Sequence, residues 1–343
     1  MATLADTTYH ERILVVGGKG KIASGIIPRL DEKYGSQNVL VADKDPIPAP
    51  TLENPYRYYS LDITSSPQIS DFYRNLDESG VRVSTVFNLA SLSASQCSKY
   101  PDLANYVMHQ GLEELATLSS LHGTRLFFNP SSVAVIGSES DDPFTQDSEV
   151  MLKEGDSLYK EYKLFSEEFG AQVNARWDMR YVGIRYPGVL SHQFLPENGF
   201  PGTTKIFNEI AYHALKGMQA PTCAINPFVR LPLATLETTS EASIGLLESD
   251  DLDNINPNHL SRLNMVEGRA SVHEYTTALK AKGCDVTVKT LFGPDVYGRD
   301  KKALAWSKDI EMEPNVMPQV LKNLTLCTDA KAFALYAVKQ LSH

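Results

Sequence analysis

The stretch Arg12-Ile13-Leu14-Val15-Val16-Gly17-Gly18-Lys19-Gly20-Lys21-Ile22-Ala23 decides how the rest of the chain is read. Four consecutive apolar residues before two glycines predict a strand buried on both faces, as in a parallel sheet. Glycines 17 and 20 with Ala23 fit the spacing of a dinucleotide fingerprint in its GxxGxxG/A form. Glycine permits the tight turn, and the first backbone N–H groups of the following helix, from Lys21 and Ile22, can then receive a pyrophosphate. The strand that follows, Asn38 to Ala42, closes on Asp43. A carboxylate at that point accepts the adenosine ribose hydroxyls and repels a 2′-phosphate, which favours NAD over NADP. Lys19 and Lys44 pull the other way, since either can pair with a phosphate, and Asp43 is also an ordinary residue for the turn Asp43-Lys44-Asp45-Pro46.

Further strands are expected at Arg57 to Leu61, Val83 to Leu89, Thr124 to Asn129 and Tyr181 to Tyr186, with helices over Pro101 to Leu121 and Tyr159 to Ala175. Strand and helix in alternation imply an α/β fold: a doubly wound parallel sheet with helices on both faces. Asp62 and Ile63 after the third strand are placed to meet the adenine. Leu89 and Ala90 after the fourth would let the cofactor lie against the sheet. Beyond Tyr186-Pro187-Gly188 the alternation loosens. Residues 1–188 therefore read as the nucleotide-binding domain, and 189–343 as mainly a smaller α+β substrate lobe, part of it returning to the sheet. In that lobe Thr203 to Lys216 reads as helical and Phe228 to Leu233 as extended. Ser271 and Glu274 have capping-box spacing ahead of a helix running to about Lys282. The polar stretch Ser138 to Asp156 reads as a surface loop.

The chemistry is carried by Ser132, Tyr159 and Lys163. Tyr159 and Lys163 stand at i and i+4 and so share one helical face. A tyrosine of ordinary pKa near 10 is a poor base, and a neighbouring ammonium favours its phenolate. Ser132, at the end of an apolar run, would hold a substrate oxygen beside that phenol. Tyr162 has no lysine four residues on and reads as a surface residue.

Composition bounds the alternatives. The 343 residues are 42% apolar, enough for a large core, and carry a formal charge of −10, which disfavours a nucleic-acid backbone as partner. No apolar run approaches the roughly 20 residues of a membrane helix, and the N-terminal residues lack a secretory pattern. Four cysteines without metal-ligand spacing and eight histidines without close pairing predict no metal site and a reducing, cytoplasmic setting.

With these motifs in order, the chain resembles the extended short-chain dehydrogenase/reductases, and among them most of all the NAD-dependent threonine dehydrogenases. The strings that carry the likeness are 88–95 (NLASLSAS), 130–137 (PSSVAVIG), 178–188 (DMRYVGIRYPG), 202–204 (GTT), 212–216 (YHALK) and 230–232 (RLP). The resemblance covers about residues 12 to 245. It implies Ser132, Tyr159 and Lys163 as the catalytic set, with Lys163 also on the nicotinamide ribose. Tyr186, Pro187 and Gly188 would lie near the nicotinamide, and Ser93, Thr203 and Thr204 near the substrate. Two departures stand out. Met108 occupies a position where the family has asparagine, and Lys205 one where it has aspartate. The family's tryptophan- and proline-containing C-terminal strings are also missing, and Trp306 does not replace them.

The expected function is NAD-dependent interconversion of a secondary alcohol and a ketone on threonine or a small amino-acid-like substrate, in a possible homodimer. The charge change at Lys205 points to a substrate other than plain threonine. The alternatives are a nucleotide-sugar epimerase or dehydratase of the same superfamily, for which Arg230 is the obvious diphosphate-binding cation, and a non-catalytic NAD-binding regulator.

Overall fold

The computed structural model describes residues 10–45, 57–136, 152–191, 205–286, 288–290 and 326–341, apart from isolated positions 220, 224, 250, 251, 253 and 254; within 137–151 it describes only 145, 148 and 150. Strands β1 (His10–Val16), β2 (Val39–Asp43), β3 (Arg57–Ser60), β4 (Val81–Asn88), β5 (Leu126–Phe128), β6 (Ser131–Ser132) and β7 (Arg180–Val182) come first along the chain. All but β6 form one parallel sheet in the order β3-β2-β1-β4-β5-β7. Strand order reverses between β1 and β4, which opens a crevice at their carboxyl ends.

Helices cover both faces. On one side α1 (Lys21–Tyr34) packs on the sheet through Ala23, Ile26, Ile27 and Leu30. On the other lie α2 (Ser66–Glu78), α3 (Ala94–Lys99), α4 (Pro101–Asn105), α5 (Gly111–Leu121) and α6 (Leu158–Arg176). Helix α2 is missing from the sequence expectation, yet Ile69, Phe72, Tyr73 and Leu76 form its buried i, i+3, i+4, i+7 stripe. The helix expected over Pro101 to Leu121 is interrupted by a π turn at Tyr106–Gln110, which displaces its lower half relative to its upper.

Strand Tyr181 to Tyr186 is also corrected. It breaks at Gly183 into β7 and β8 (Ile184–Tyr186), and β8 leaves the main sheet to pair with β6 and with β12 (Leu263–Asn264). The reason is steric as well as polar. A Cβ on Gly183 would stand 2.1 Å from the Ser261 carbonyl oxygen. The Gly183 N–H and carbonyl are bonded to Leu260 and Leu263, 2.8 Å each.

The remaining chain builds the lobe: β9 (Gly188–Leu190), α7 (Lys205–Lys216), β10 (Thr222–Cys223), β11 (Leu231–Thr235), α8 (Leu236–Gly245), α9 (Pro257–Leu260), β13 (Gly268–Ala270), α10 (Val272–Ala281), β14 (Lys289–Thr290) and α11 (Ala330–Leu341). Its core gathers Phe207, Ile210, Leu231, Tyr275, Leu279 and Phe333. The capping box at Ser271 and Glu274 forms as expected, with Ser271 Oγ accepting from Glu274 N and Glu274 Oε2 accepting from Ser271 N. Helix α8 returns to pack on α1.

Candidate active site

The nucleotide end is built largely from backbone. Gly17 holds φ +78°, and a Cβ there would meet Ala90 N at 2.7 Å, so both the turn and the approach of the chain after β4 require glycine. Leu89 N–H donates to the Val16 carbonyl at 2.8 Å, which fixes Leu89 and Ala90 against the turn. The first hydrogen-bonded turn of α1 begins with Ser24 N–H on the Gly20 carbonyl. The N–H groups of Lys21, Ile22 and Ala23 precede it, and the N-cap, Gly20, contributes no side chain. A helix start of this kind, uncapped and with no acidic residue in its first turn, accepts an anion. The residues present therefore fit an adenine dinucleotide.

Asp43 stands at the end of β2, buried, its Oδ2 accepting from Lys19 N at 3.0 Å and its Oδ1 from Asp45 N at 3.1 Å. It thus holds the glycine turn in place. Lys44 pairs with Asp45 at 3.0 Å on the exposed side. Asp62 Oδ1 accepts from Thr64 N and Oγ1, an Asx turn leading into α2, and Ile63 beside it is buried.

The chemical end forms where β6 meets α6. Ser157 caps α6, its Oγ accepting from Lys160 N at 3.2 Å. Two residues on, Tyr159 lies beside Ser132, close enough for that hydroxyl to act on its phenol. Ser132 Oγ also accepts from Ala134 N. Lys163 is buried, with Nζ 5.6 Å from the Tyr159 ring centroid and donating to the Pro130 carbonyl at 2.8 Å. The three side chains predicted to act together are therefore together. Burial raises the Tyr159 pKa above its ordinary value of 10, against the lowering effect of Ser132. Burial also lowers Lys163, to about 8, with Cys97 and Glu167 acting in the opposite sense. The expected lowering of the phenol by the ammonium is not seen: desolvation dominates, and the opposing influence comes from Ser132.

The other expected residues divide. Gly188 opens β9 beside the site. Tyr186 lies nearby through its backbone, but its phenol is bonded to Ser243 at 2.6 Å and its ring is in the core. Ser93 is the N-cap of α3, its hydroxyl bonded to Gln96 and Ser95, whereas Ser91 lines the cavity that reaches Lys163. Thr203 and Thr204 lie outside the described residues, as does Trp306. Met108 sits in the π turn and lines that same cavity, with its sulfur 3.6 Å from Cys97 Sγ and 3.8 Å from Ser91 Oγ. The cavity's polar side is formed by Asn88, Asn129 and Ser166. Asn88 Nδ2 donates to Asn129 at 2.9 Å, while Asn88 Oδ1 is buried with no partner.

A support that the sequence reading missed lies one turn below Lys163. Glu167 accepts from Arg185 Nε at 2.8 Å and Nη2 at 2.6 Å, and from Ser131 Oγ. Arg185 Nη1 reaches Asn264 at 3.2 Å. The network joins α6 to β6, β8 and β12, so the helix bearing Tyr159 and the strand bearing Ser132 cannot slide independently. The i, i+4, i+8 spacing of Tyr159, Lys163 and Glu167 was the available clue.

The model of the NAD dependent epimerase/dehydratase family matches residues 13–225. A mitochondrial L-threonine 3-dehydrogenase of Sus scrofa is 26% identical over 257 residues. That match takes in 71% of this chain and 65% of the relative, a little under two thirds of its length. Among solved structures, a GalE-like L-threonine dehydrogenase from Cupriavidus necator superposes with a TM-score of 0.79 at 21% identity, over 96% of this chain and 99% of that one. A UDP-glucose 4-epimerase from Thermotoga maritima gives 0.71 at 18% identity, over 97% and 100%. Identities this low speak for the shared fold.

Proposed function

The chain belongs to the NAD dependent epimerase/dehydratase family, and from that premise we propose that it is an NAD-dependent oxidoreductase acting on the secondary alcohol of threonine or a small amino-acid-like relative. The observation that carries this reading is the convergence of Tyr159 and Lys163 on the strand bearing Ser132, with the Lys163 ammonium 5.6 Å from the Tyr159 ring centroid and bonded to the Pro130 carbonyl just before that strand. NAD, when bound, would be held by Gly17, Gly20 and the first N–H groups of α1, and would supply the hydride acceptor and, in its oxidised form, a positive charge.

Ser132 holds the substrate oxygen. Tyr159 takes the alcohol proton as the C–H hydride is lost, and returns a proton to the ketone oxygen in the reverse direction. With its pKa raised by burial, Tyr159 rests as the neutral phenol, which is the form required for donation. Oxidation needs added positive charge near the phenol, and Lys163 is placed to contribute it.

A nucleotide-sugar substrate is disfavoured by Arg230. Its guanidinium is paired with Glu274 at 3.1 Å, and Glu274 is in turn the capping residue of α10. Lys205, the basis for expecting a substrate other than threonine, is half-exposed and paired with Glu209 one turn on at 3.1 Å. Its charge is spent on its own helix, which returns threonine to the front of the candidates. The decisive measurement is NAD+ reduction against threonine, serine, short 3-hydroxy acids and nucleotide sugars. Turnover of nucleotide sugars alone would reject this reading in favour of the epimerase.

Two subsidiary proposals go with it. Exposed Tyr100, Leu103 and Tyr106, next to α6, favour a homodimer through that face, which light scattering on the purified protein tests. Four free thiols favour a reducing, cytoplasmic setting; among the described residues no helix is long and apolar enough to cross a membrane.

A further inference from the structure

Lys21 is the first residue of α1, directly after the N-cap Gly20. Its side chain crosses the crevice to β9, where Nζ donates to the Val189 carbonyl at 3.0 Å. That carbonyl is shared with Asn208 Nδ2 at 3.2 Å. An ammonium has three donors, and one shared neutral acceptor satisfies it poorly. It also sits at the positive end of a helix, where a cation is least welcome.

The carboxylates on the surrounding elements are engaged elsewhere. Asp43 serves the N–H groups of Lys19 and Asp45, Glu237 and Glu241 face Arg29, and Glu209 faces Lys205. Strand β9, Gly188–Leu190, has no titratable side chain. Among the described residues no carboxylate is paired with Lys21. A partly buried cation held at a helix N-terminus by one shared carbonyl gains little from the fold, but it suits an anionic ligand.

We infer that the Lys21 ammonium is the counter-charge for a diphosphate seated on the first turn of α1, kept in the fold for that ligand. The inference rests on the dinucleotide reading and adds to it a side chain where the glycine turn offers only backbone. It has a consequence in pH. Burial alone depresses Lys21, to about 8. An anion beside it restores a higher value, so binding above pH 8 must take up a proton, and affinity falls as pH rises.

The test compares NAD+ and ADP binding by calorimetry at pH 7.5 and pH 9.5, in wild type, Lys21→Met and Lys21→Arg. ADP carries the diphosphate without the nicotinamide ribose, which leaves Lys163 out of the comparison. For wild type, a group titrating at about 8 gives a loss of ADP affinity of roughly 25-fold between the two pH values. Lys21→Met should bind ADP at least tenfold more weakly at pH 7.5 and vary by less than about threefold with pH. Lys21→Arg, which keeps its proton, should hold the pH 7.5 affinity and lose the pH dependence. Wild-type NAD+ and ADP binding left unchanged by Lys21→Met would overturn the inference alone. Failure of the folded wild type to bind either ligand would overturn the dinucleotide reading with it. Should Lys21→Met not fold, the flattened profile of Lys21→Arg decides, and a profile like that of wild type overturns the inference.

Discussion

Two regions of this molecule hold a cation against the protein and treat it in opposite ways. Beneath the catalytic helix, Arg185 is 1% exposed and its charge is fully answered, by two bonds to Glu167 and one to Asn264. At the first turn of α1, Lys21 has a single shared carbonyl. A fully buried charge with complete partners ties elements together, whereas the partly buried Lys21 ammonium, with one shared carbonyl, keeps donors for a ligand. Lys163 belongs with Lys21 in this respect, since its ammonium also donates to a neutral carbonyl, that of Pro130. Changes near Glu167 should therefore register in folding, and changes at Lys21, Lys163 and Tyr159 in binding and turnover.

The largest effect expected is kinetic. Tyr159→Phe should lower turnover on the true substrate by about 10²–10⁴-fold while leaving the melting temperature and NAD+ affinity close to wild type. Near-normal turnover would remove Tyr159 as the proton-transfer group. Next comes Glu167→Ala, which strands the Arg185 guanidinium and should cost about 3–5 kcal/mol in urea unfolding. Replacing both partners by methionine should recover most of that loss. If the single and double variants are equally unstable, the pair is not what fastens α6 to β8.

The pH dependence of stability sharpens the contrast further. Lys21 and Lys163 have folded pKa values of about 8, below the ordinary lysine value of 10.5. The unfolded chain therefore binds more protons between these limits, and stability of the ligand-free protein rises with pH there. Melting curves from pH 8 to 10.5 should show this rise relative to Lys21→Met, which lacks one of the two groups. A wild-type curve parallel to that of the variant would mean that Lys21 is not desolvated.

Cofactor preference should respond more modestly. Asp43→Asn should weaken NAD+ binding and narrow the preference for NAD+ over NADP+ by about tenfold, read from paired fluorescence titrations. A wild type that prefers NADP+ would transfer the specificity to Lys19 and Lys44. The smallest effect is expected at Lys205→Asp. Its pairing with Glu209 makes it a surface i, i+4 pair, worth a few tenths of a kcal/mol, so kcat/KM on threonine should move less than about threefold.

By itself the sequence determined whatever is written within a few consecutive residues. The apolar run before Gly17 and the turn-helix after it required only local sterics and the donors at a helix start. The common face of Tyr159 and Lys163 follows from helical period, and the cap at Ser271 from a spacing of three. Tertiary structure decided what depends on a partner distant in the chain. The break at Gly183 is set by Ser261, 78 positions away, and α2 owes its stability to the sheet that its apolar stripe covers. Which serine reaches the cavity, Ser91 or Ser93, depended on a capping bond that withdraws Ser93. The contrast between Arg185 and Lys21 was invisible for the same reason: a charged residue looks alike in sequence whether or not the fold brings a counter-charge to it.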